Sequence, residues 1–196
     1  MTRRSFDVAV AATLLVVTAP LIAIAIVAIR LESKGHPIYR QRRVGLDGRE
    51  FDVLKLRTMV DGAEHLGAGL AVDAGDARIT KIGALLRRTS IDELPNLVNV
   101  LRGEMVIVGP RPTLPAQVAL YTERELGRLA VRPGITGWAQ VNGRASLPWS
   151  ERIELDLWYI DHRSWRLDLR ILLRSARMVL AGDGLYKGKT GGWTAR

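Results

Sequence analysis

The chain has no cysteine, so it holds no disulfide framework and no thiolate metal site. Its three histidines, His36, His65 and His162, are scattered without ligand spacing, which argues against a histidine metal centre. Aromatic residues make up only 6%, and no tryptophan precedes Gly137. No Asp-x-Asp motif, internal repeat or low-complexity tract is found. From Val8 to Ile29 there is no charged residue at all, and Thr13 and Thr18 are the polar ones.

What is abundant is positive charge. The 196 residues carry a formal net charge of +9, which favours anionic partners such as phospholipid headgroups, nucleotides, phosphates or nucleic acid. Nucleic acid accounts for the charge and leaves the apolar run unexplained, so no nucleic-acid partner is expected. The length suits one modest domain with an appendage.

The uncharged run has the length of a membrane-spanning helix. Two features favour a re-entrant path instead. Pro20 lies near its middle, removing a backbone donor and favouring a bend. Each half is then about 13–18 Å long, too short to cross a hydrocarbon core of about 30 Å. Both flanks are basic, with Arg3 and Arg4 before the run and Arg30, Lys34, Arg40, Arg42 and Arg43 after it. The positive-inside preference draws both ends to the cytoplasm. A cleaved signal peptide fits poorly, because the apolar run continues past Ala23-Ile24-Ala25 without a polar c-region.

Beyond the run, Ile38 to Val44 and Arg49 to Leu56 flank Asp47-Gly48 and predict a β-hairpin. Asp61 to Ala77 reads as a connector or weak helix. Helices are expected near Ile79–Arg88, over Leu94–Leu101 with Gly103 as its stop, and over Glu151–Tyr159. Met105 to Val108 is a short apolar strand that enters the stiff turn Gly109-Pro110-Arg111-Pro112. Arg132 to Trp138 reads as a punctuated loop. From Asp168 a last helix places Leu169, Leu172, Leu173, Ala176, Val179 and Leu180 on one face, with Arg170, Arg174 and Arg177 off it. Such a helix suits a membrane surface, or packs on the core with a solvated basic face.

The densest chemistry lies in Arg87-Arg88-Thr89-Ser90-Ile91-Asp92-Glu93-Leu94-Pro95-Asn96. Ser90 and Glu93 have the spacing of a capping box, which explains Glu93 structurally. Asp92 is then either a first-turn acid favoured by the helix dipole or a functional carboxylate.

Across the chain these residues resemble the bacterial sugar transferases, the monotopic polyprenyl-phosphate phosphoglycosyl transferases. The likeness is carried by Arg42-Arg43-Val44-Gly45 with Asp47-Gly48, by Lys55-Leu56-Arg57-Thr58-Met59 and by Arg78 to Gly83. It continues through Thr89 to Leu97, Gly103-Glu104-Met105 to Pro112, Arg132 to Arg144, Tyr159-Ile160 and Leu167-Asp168. The blocks lie in order over nearly the whole chain. It looks like the minimal catalytic module of the family. Many relatives have Ser before the membrane proline, where this chain has Ala19.

The resemblance implies an α+β, mainly helical fold. A Pro-broken re-entrant membrane helix over residues 1–35 precedes a cytoplasmic catalytic domain over 36–196, with a small β-hairpin and interfacial amphipathic helices. It implies transfer of a sugar-1-phosphate from a UDP-sugar to undecaprenyl phosphate, releasing UMP, with Mg²⁺ as cofactor. The setting would be the cytoplasmic face of the bacterial inner membrane, against phospholipid. Asp92 would be the nucleophile and, with Glu93, would hold the metal. Arg87 and Arg111 would clamp phosphates, Lys55 and Arg57 would face the polyprenyl phosphate or the nucleotide, and Arg144 the nucleotide sugar. Oligomeric state stays open, with a homodimer among the options. Two rival readings are a conventional glycosyltransferase, releasing UDP, and a non-catalytic basic membrane adaptor.

Overall fold

The apolar run folds as a single helix, α1 (Arg3–Glu32), in the computed structural model, which describes residues 2–66, 75–143 and 146–181. Thr2 caps its start, accepting from the Ser5 amide at 3.2 Å. The helix runs uninterrupted across Pro20. The proline withholds one backbone donor, and the bonds on either side keep the helix together, so the expected break is a missing bond and not an unwound segment. Thr18 Oγ1 donates to the Leu14 carbonyl at 2.7 Å in the turn before the proline. By length and composition α1 could cross a membrane.

One face of α1 packs in two stretches, one towards each end. Asp7, Ala11, Ala25 and Ile29 are buried, and Val10, Leu15, Ile22 and Ile26 pack beside them in a helical stripe. The opposite face shows Val16, Val17, Ile24 and Leu31, each more than half exposed. Both ends of the helix are tied to the same body. Near the N-terminus, Arg3 pairs with Asp168 and Arg4 bonds the Val100 and Leu101 carbonyls. Near the C-terminus, Glu32 accepts from the amides of Lys81 and Ile82.

The hairpin forms as expected. β1 (Ile38–Val44) pairs antiparallel with β2 (Glu50–Leu56), Ile38 opposite Leu56 and Val44 opposite Glu50. Asp47 (φ 54°) and Gly48 (φ 77°) make the left-handed turn. Strand alternation puts Phe51, Val53 and Lys55 on one face, and Phe51 and Val53 are core residues. Lys55 is thereby carried inward.

α2 (Lys81–Arg88), α3 (Asn96–Arg102), α7 (Trp149–Asp161) and α8 (Trp165–Ala181) fall where the periodicity places helices. Gly103 ends α3 in the left-handed conformation (φ 83°). Short helices α4 (Pro115–Val118), α5 (Glu123–Leu126) and α6 (Trp138–Val141) fill the connections. Of the expected connector Asp61–Ala77, residues 67–74 lie outside the described residues; Ala63–His65 form one 3₁₀ turn.

The second small sheet has a sequence signal in one strand only, the apolar stretch Met105–Val108 expected as a strand. β3 (Val106–Val108) pairs in parallel with β4 (Gly134–Thr136), inside the stretch that reads as a loop. Three residues are too few for alternation to register, and the partner strand is remote in sequence. The pairing relies on glycine: a Cβ at Gly134 would lie 2.1 Å from the Gly109 nitrogen, and one at Gly137 would lie 2.1 Å from the Gly109 carbonyl oxygen.

α8 divides its apolar residues differently from the expectation. Leu167, Asp168 and Ile171 face the core, with Leu172 packed beside them. Leu169, Leu173 and Leu180 point outward, as does half-exposed Trp165. The exposed apolar stripe runs next to Arg170 and Arg177, which are also exposed.

Candidate active site

Asp92 and Glu93 lie in a 3₁₀ turn (Ile91–Glu93) directly before α3. Pro95 accounts for this geometry. It has no N–H to offer the Ile91 carbonyl, so the Leu94 amide bonds that carbonyl instead, at 3.1 Å. Ser90 adopts a left-handed conformation (φ 56°), and its side chain makes no capping bond. The capping box read from Ser90 and Glu93 therefore does not form. The left-handed residue breaks the path between α2 and the turn and aims the Glu93 carboxylate elsewhere.

Glu93 Oε1 accepts from Lys55 Nζ at 2.7 Å and from Arg111 Nη2 at 3.0 Å. Although burial opposes it, these two cations hold Glu93 well below the usual carboxylate range. Burial in turn lowers the Lys55 amine, with the Glu93 charge opposing. The Glu93 charge raises Arg111 further.

Asp92 is the counterpart. It is partly buried, and among the described residues no side chain forms a hydrogen bond or ion pair with its carboxylate. Burial first, and then the neighbouring Glu93 charge, push it up to about 6, against the pull of Lys55, Arg87 and Arg111. Arg87, in the last turn of α2, is oriented by Nε donating to Thr58 Oγ1 at 2.8 Å. α2 sits directly on the chain there, for a Cβ at Gly83 would meet the Thr58 carbonyl oxygen at 1.9 Å.

Arg111 is fixed by its backbone. The Gly109 amide donates to the Thr136 carbonyl and the Gly134 amide to the Pro110 carbonyl, both at 2.8 Å. Arg43 Nη1 holds the Pro112 carbonyl and Arg128 Nη2 holds the Arg111 carbonyl, each at 3.0 Å. Arg128 is almost fully buried. It bonds Asp156 Oδ2 through Nε at 2.7 Å and Tyr121 OH through Nη1 at 2.7 Å. Burial, and then repulsion from Arg111, pull Arg43 down to about 10, so it stays charged near neutrality.

The fold thus assembles Asp92, Glu93, Lys55, Arg87 and Arg111 from four separate segments. Arg57 does not join them. Its guanidinium bonds the carbonyls of Ser33 and Lys34 and the Ser33 hydroxyl, closing the C-terminal end of α1. Arg144 lies outside the described residues. Arg43, Arg128 and Asp156 were not singled out by the sequence reading. Arg43 sits inside a matched motif, whereas the Arg128–Asp156 pair joins distant segments and has no local signature.

Among the described residues this arrangement presents a carboxylate with no side-chain partner amid fixed cations, a setting suited to attack on a phosphate whose own charge must be neutralised. Residues 1–182 match the family model described as bacterial sugar transferase. The chain belongs to that family. Curated relatives of this sugar transferase include the uncharacterized sugar transferase EpsL of Bacillus subtilis, 45% identical over 94% of this chain and 90% of the relative. The UDP-glucose:undecaprenyl-phosphate glucose-1-phosphate transferase of Caulobacter vibrioides is 44% identical over 94% of this chain and 72% of its own length. The exopolysaccharide production protein ExoY of Rhizobium meliloti is 34% identical over 95% and 88%. The sugar transferase is therefore an enzyme, and the non-catalytic adaptor reading loses its main support.

Proposed function

We propose that the enzyme transfers a sugar-1-phosphate from a UDP-sugar to undecaprenyl phosphate at a membrane surface, releasing UMP. The observation that carries this is Asp92: a carboxylate with no side-chain partner among the described residues, next to a paired Glu93 and facing Lys55, Arg87 and Arg111. Two relatives are named for a UDP-sugar and undecaprenyl phosphate and a third for UDP-galactose and a lipid carrier, and these names support the substrate classes.

In the proposed mechanism an ionised Asp92 oxygen attacks the β-phosphorus of the donor. The bond from that phosphorus to the bridging oxygen breaks, and UMP departs with the oxygen. An oxygen of undecaprenyl phosphate then attacks the same phosphorus, forming the diphosphate-linked sugar and freeing Asp92. Phosphoryl transfer asks chiefly for alignment and charge neutralisation. Arg111 and Arg87 supply guanidinium groups for the phosphates, and Lys55 keeps Glu93 ionised. Among the described residues no cluster of three or more metal-ligating side chains exists. Two neighbouring carboxylates still suit Mg²⁺, which is commonly shared between one or two carboxylates and substrate phosphates. Asp92 and Glu93 would hold it, and it would neutralise donor charge.

The membrane reading rests on α1 and α8. Since both ends of α1 bond the same body, a re-entrant path with both ends cytoplasmic is favoured over a span. The exposed stripe Trp165, Leu169, Leu173 and Leu180 beside arginines suits phospholipid.

The test is release of nucleotide from UDP-glucose, UDP-galactose and UDP-N-acetylgalactosamine with undecaprenyl phosphate and Mg²⁺. UMP is expected. UDP would establish sugar transfer without its phosphate and overturn the proposal. A donor radiolabelled in the β-phosphate should leave label on the parent enzyme and none on D92N.

A further inference from the structure

The first turn of α1 touches both limbs of the site. Arg4 Nη1 donates to the Val100 carbonyl at 2.7 Å and Nη2 to the Leu101 carbonyl at 3.0 Å. These carbonyls belong to the last turn of α3, where a helix runs short of donors. Asp7 Oδ1 accepts from the Ile107 amide at 3.1 Å. The Val106 amide turns to the β4 side, bonding the Pro133 carbonyl at 2.9 Å, so the next amide points the opposite way and Asp7 completes that edge of β3.

The two limbs meet again at their other ends. The turn carrying Asp92 and Glu93 leads into α3, and β3 leads straight into Gly109-Pro110-Arg111. The Glu93–Arg111 bond of 3.0 Å closes the tips. Arg4 and Asp7, three residues apart and so neighbours on one helical face, close the bases. Asp7 is only 7% exposed, at the head of a stripe that otherwise packs Val10, Ala11 and Leu15. A carboxylate is costly to bury there, and its one backbone bond is to the strand that positions Arg111.

We propose that Arg4 and Asp7 are positioning residues. From the membrane helix they set the spacing between the limb carrying Asp92 and Glu93 and the limb carrying Arg111, so seating α1 also seats the active site. The proposal rests on the reaction given under Proposed function.

The test uses the full chain in phospholipid nanodiscs and measures the rate of adduct formation from the donor radiolabelled in the β-phosphate. D7A should slow adduct formation about tenfold or more, and D7N, which keeps an acceptor oxygen for the Ile107 amide, should return to within about threefold of the parent. In an R111K background D7A should cost less than about threefold, because the two substitutions act on one element. R4A should behave as D7A does. Parent rate in D7A, failure of D7N to rescue, or an undiminished loss in R111K would each overturn the proposal. So would a D7A chain without a cooperative melt, since Asp7 would then hold the fold and not the site. If the parent forms no adduct, it is the reaction that fails, and not the clamp.

Discussion

Asp92 and Glu93 are consecutive in one 3₁₀ turn, yet their carboxylates are shifted in opposite directions: Glu93 is bonded by Lys55 and Arg111 and held low, while Asp92 has no such partner among the described residues and is pushed up to about 6. Neighbouring acids driven apart in this way are suited to different roles, one as a fixed counter-charge and the other as a reacting group.

Replacing the free acid should uncouple stability from activity. D92N is expected to lower UMP release about a thousandfold or more. The Asp92 folded value lies above its ordinary one of 3.8, so the folded chain binds the proton more tightly and ionised Asp92 costs stability at neutral pH. D92N should therefore melt higher than the parent at pH 7–8, with the gain fading as pH falls from about 6 to about 4 and gone below that. Thermal melts across pH check this, and a D92N chain less stable than the parent at neutral pH contradicts it.

The same value sets the acid limb of the rate. Adduct formation should fall as pH drops through about 6, where Asp92 takes up its proton. E93Q removes a negative neighbour, so it should shift that limb to lower pH while slowing the reaction, because Lys55 and Arg111 lose their shared anchor. A limb unmoved by E93Q would mean another group sets it.

Arg128 supports Arg111 through a single carbonyl and is itself tied to buried Asp156. R128A strands that carboxylate, and loss of one partner of a buried pair costs about 3–5 kcal/mol. For a chain of this size that is a drop in Tm of about 6–20 °C, readable by calorimetry. A shift under about 2 °C would show the pair to be dispensable.

Gly83 tests how closely α2 and Arg87 must sit on the chain at Thr58. G83A would place a Cβ 1.9 Å from a backbone oxygen, so α2 must shift. Overpacking of this kind costs about 1–3 kcal/mol. Activity should fall beyond what the lost stability explains, because Arg87 moves with the helix. Normal turnover in G83A would show that Arg87 needs no such seating.

Topology is accessible because the chain has no native cysteine. Single cysteines at Thr2 and Lys34 should both react with a membrane-impermeant reagent added from the cytoplasmic side. Protection of the Thr2 position there, with labelling from the other side, favours a span.

Several elements were legible because their causes are local. A run of twenty-odd uncharged residues makes a helix wherever it lies, Asp47-Gly48 makes a tight turn, and Leu94, Leu97, Val98 and Leu101 repeat at helical spacing before Gly103. Asp92, Glu93, Arg87, Lys55 and Arg111 were nameable from motifs. Their partners were not. Arg57 has the same motif credentials as Lys55, but it closes the end of α1, while strand alternation carries Lys55 inward to Glu93. The capping box failed because hydrogen-bonding partners follow backbone dihedrals, and Ser90 turns left-handed.

Residue order by itself determined the longer helices, the hairpin, the uncharged apolar run and the adjacent acids Asp92 and Glu93, since propensity, periodicity and charge act over a few neighbouring positions. Tertiary structure decided which acid is paired among the described residues, which arginine stands beside the acids and which holds a turn, and that α1 belongs to the core at both of its ends. Those outcomes depend on burial and on charges brought together from distant segments, and neither exists until the chain has closed on itself.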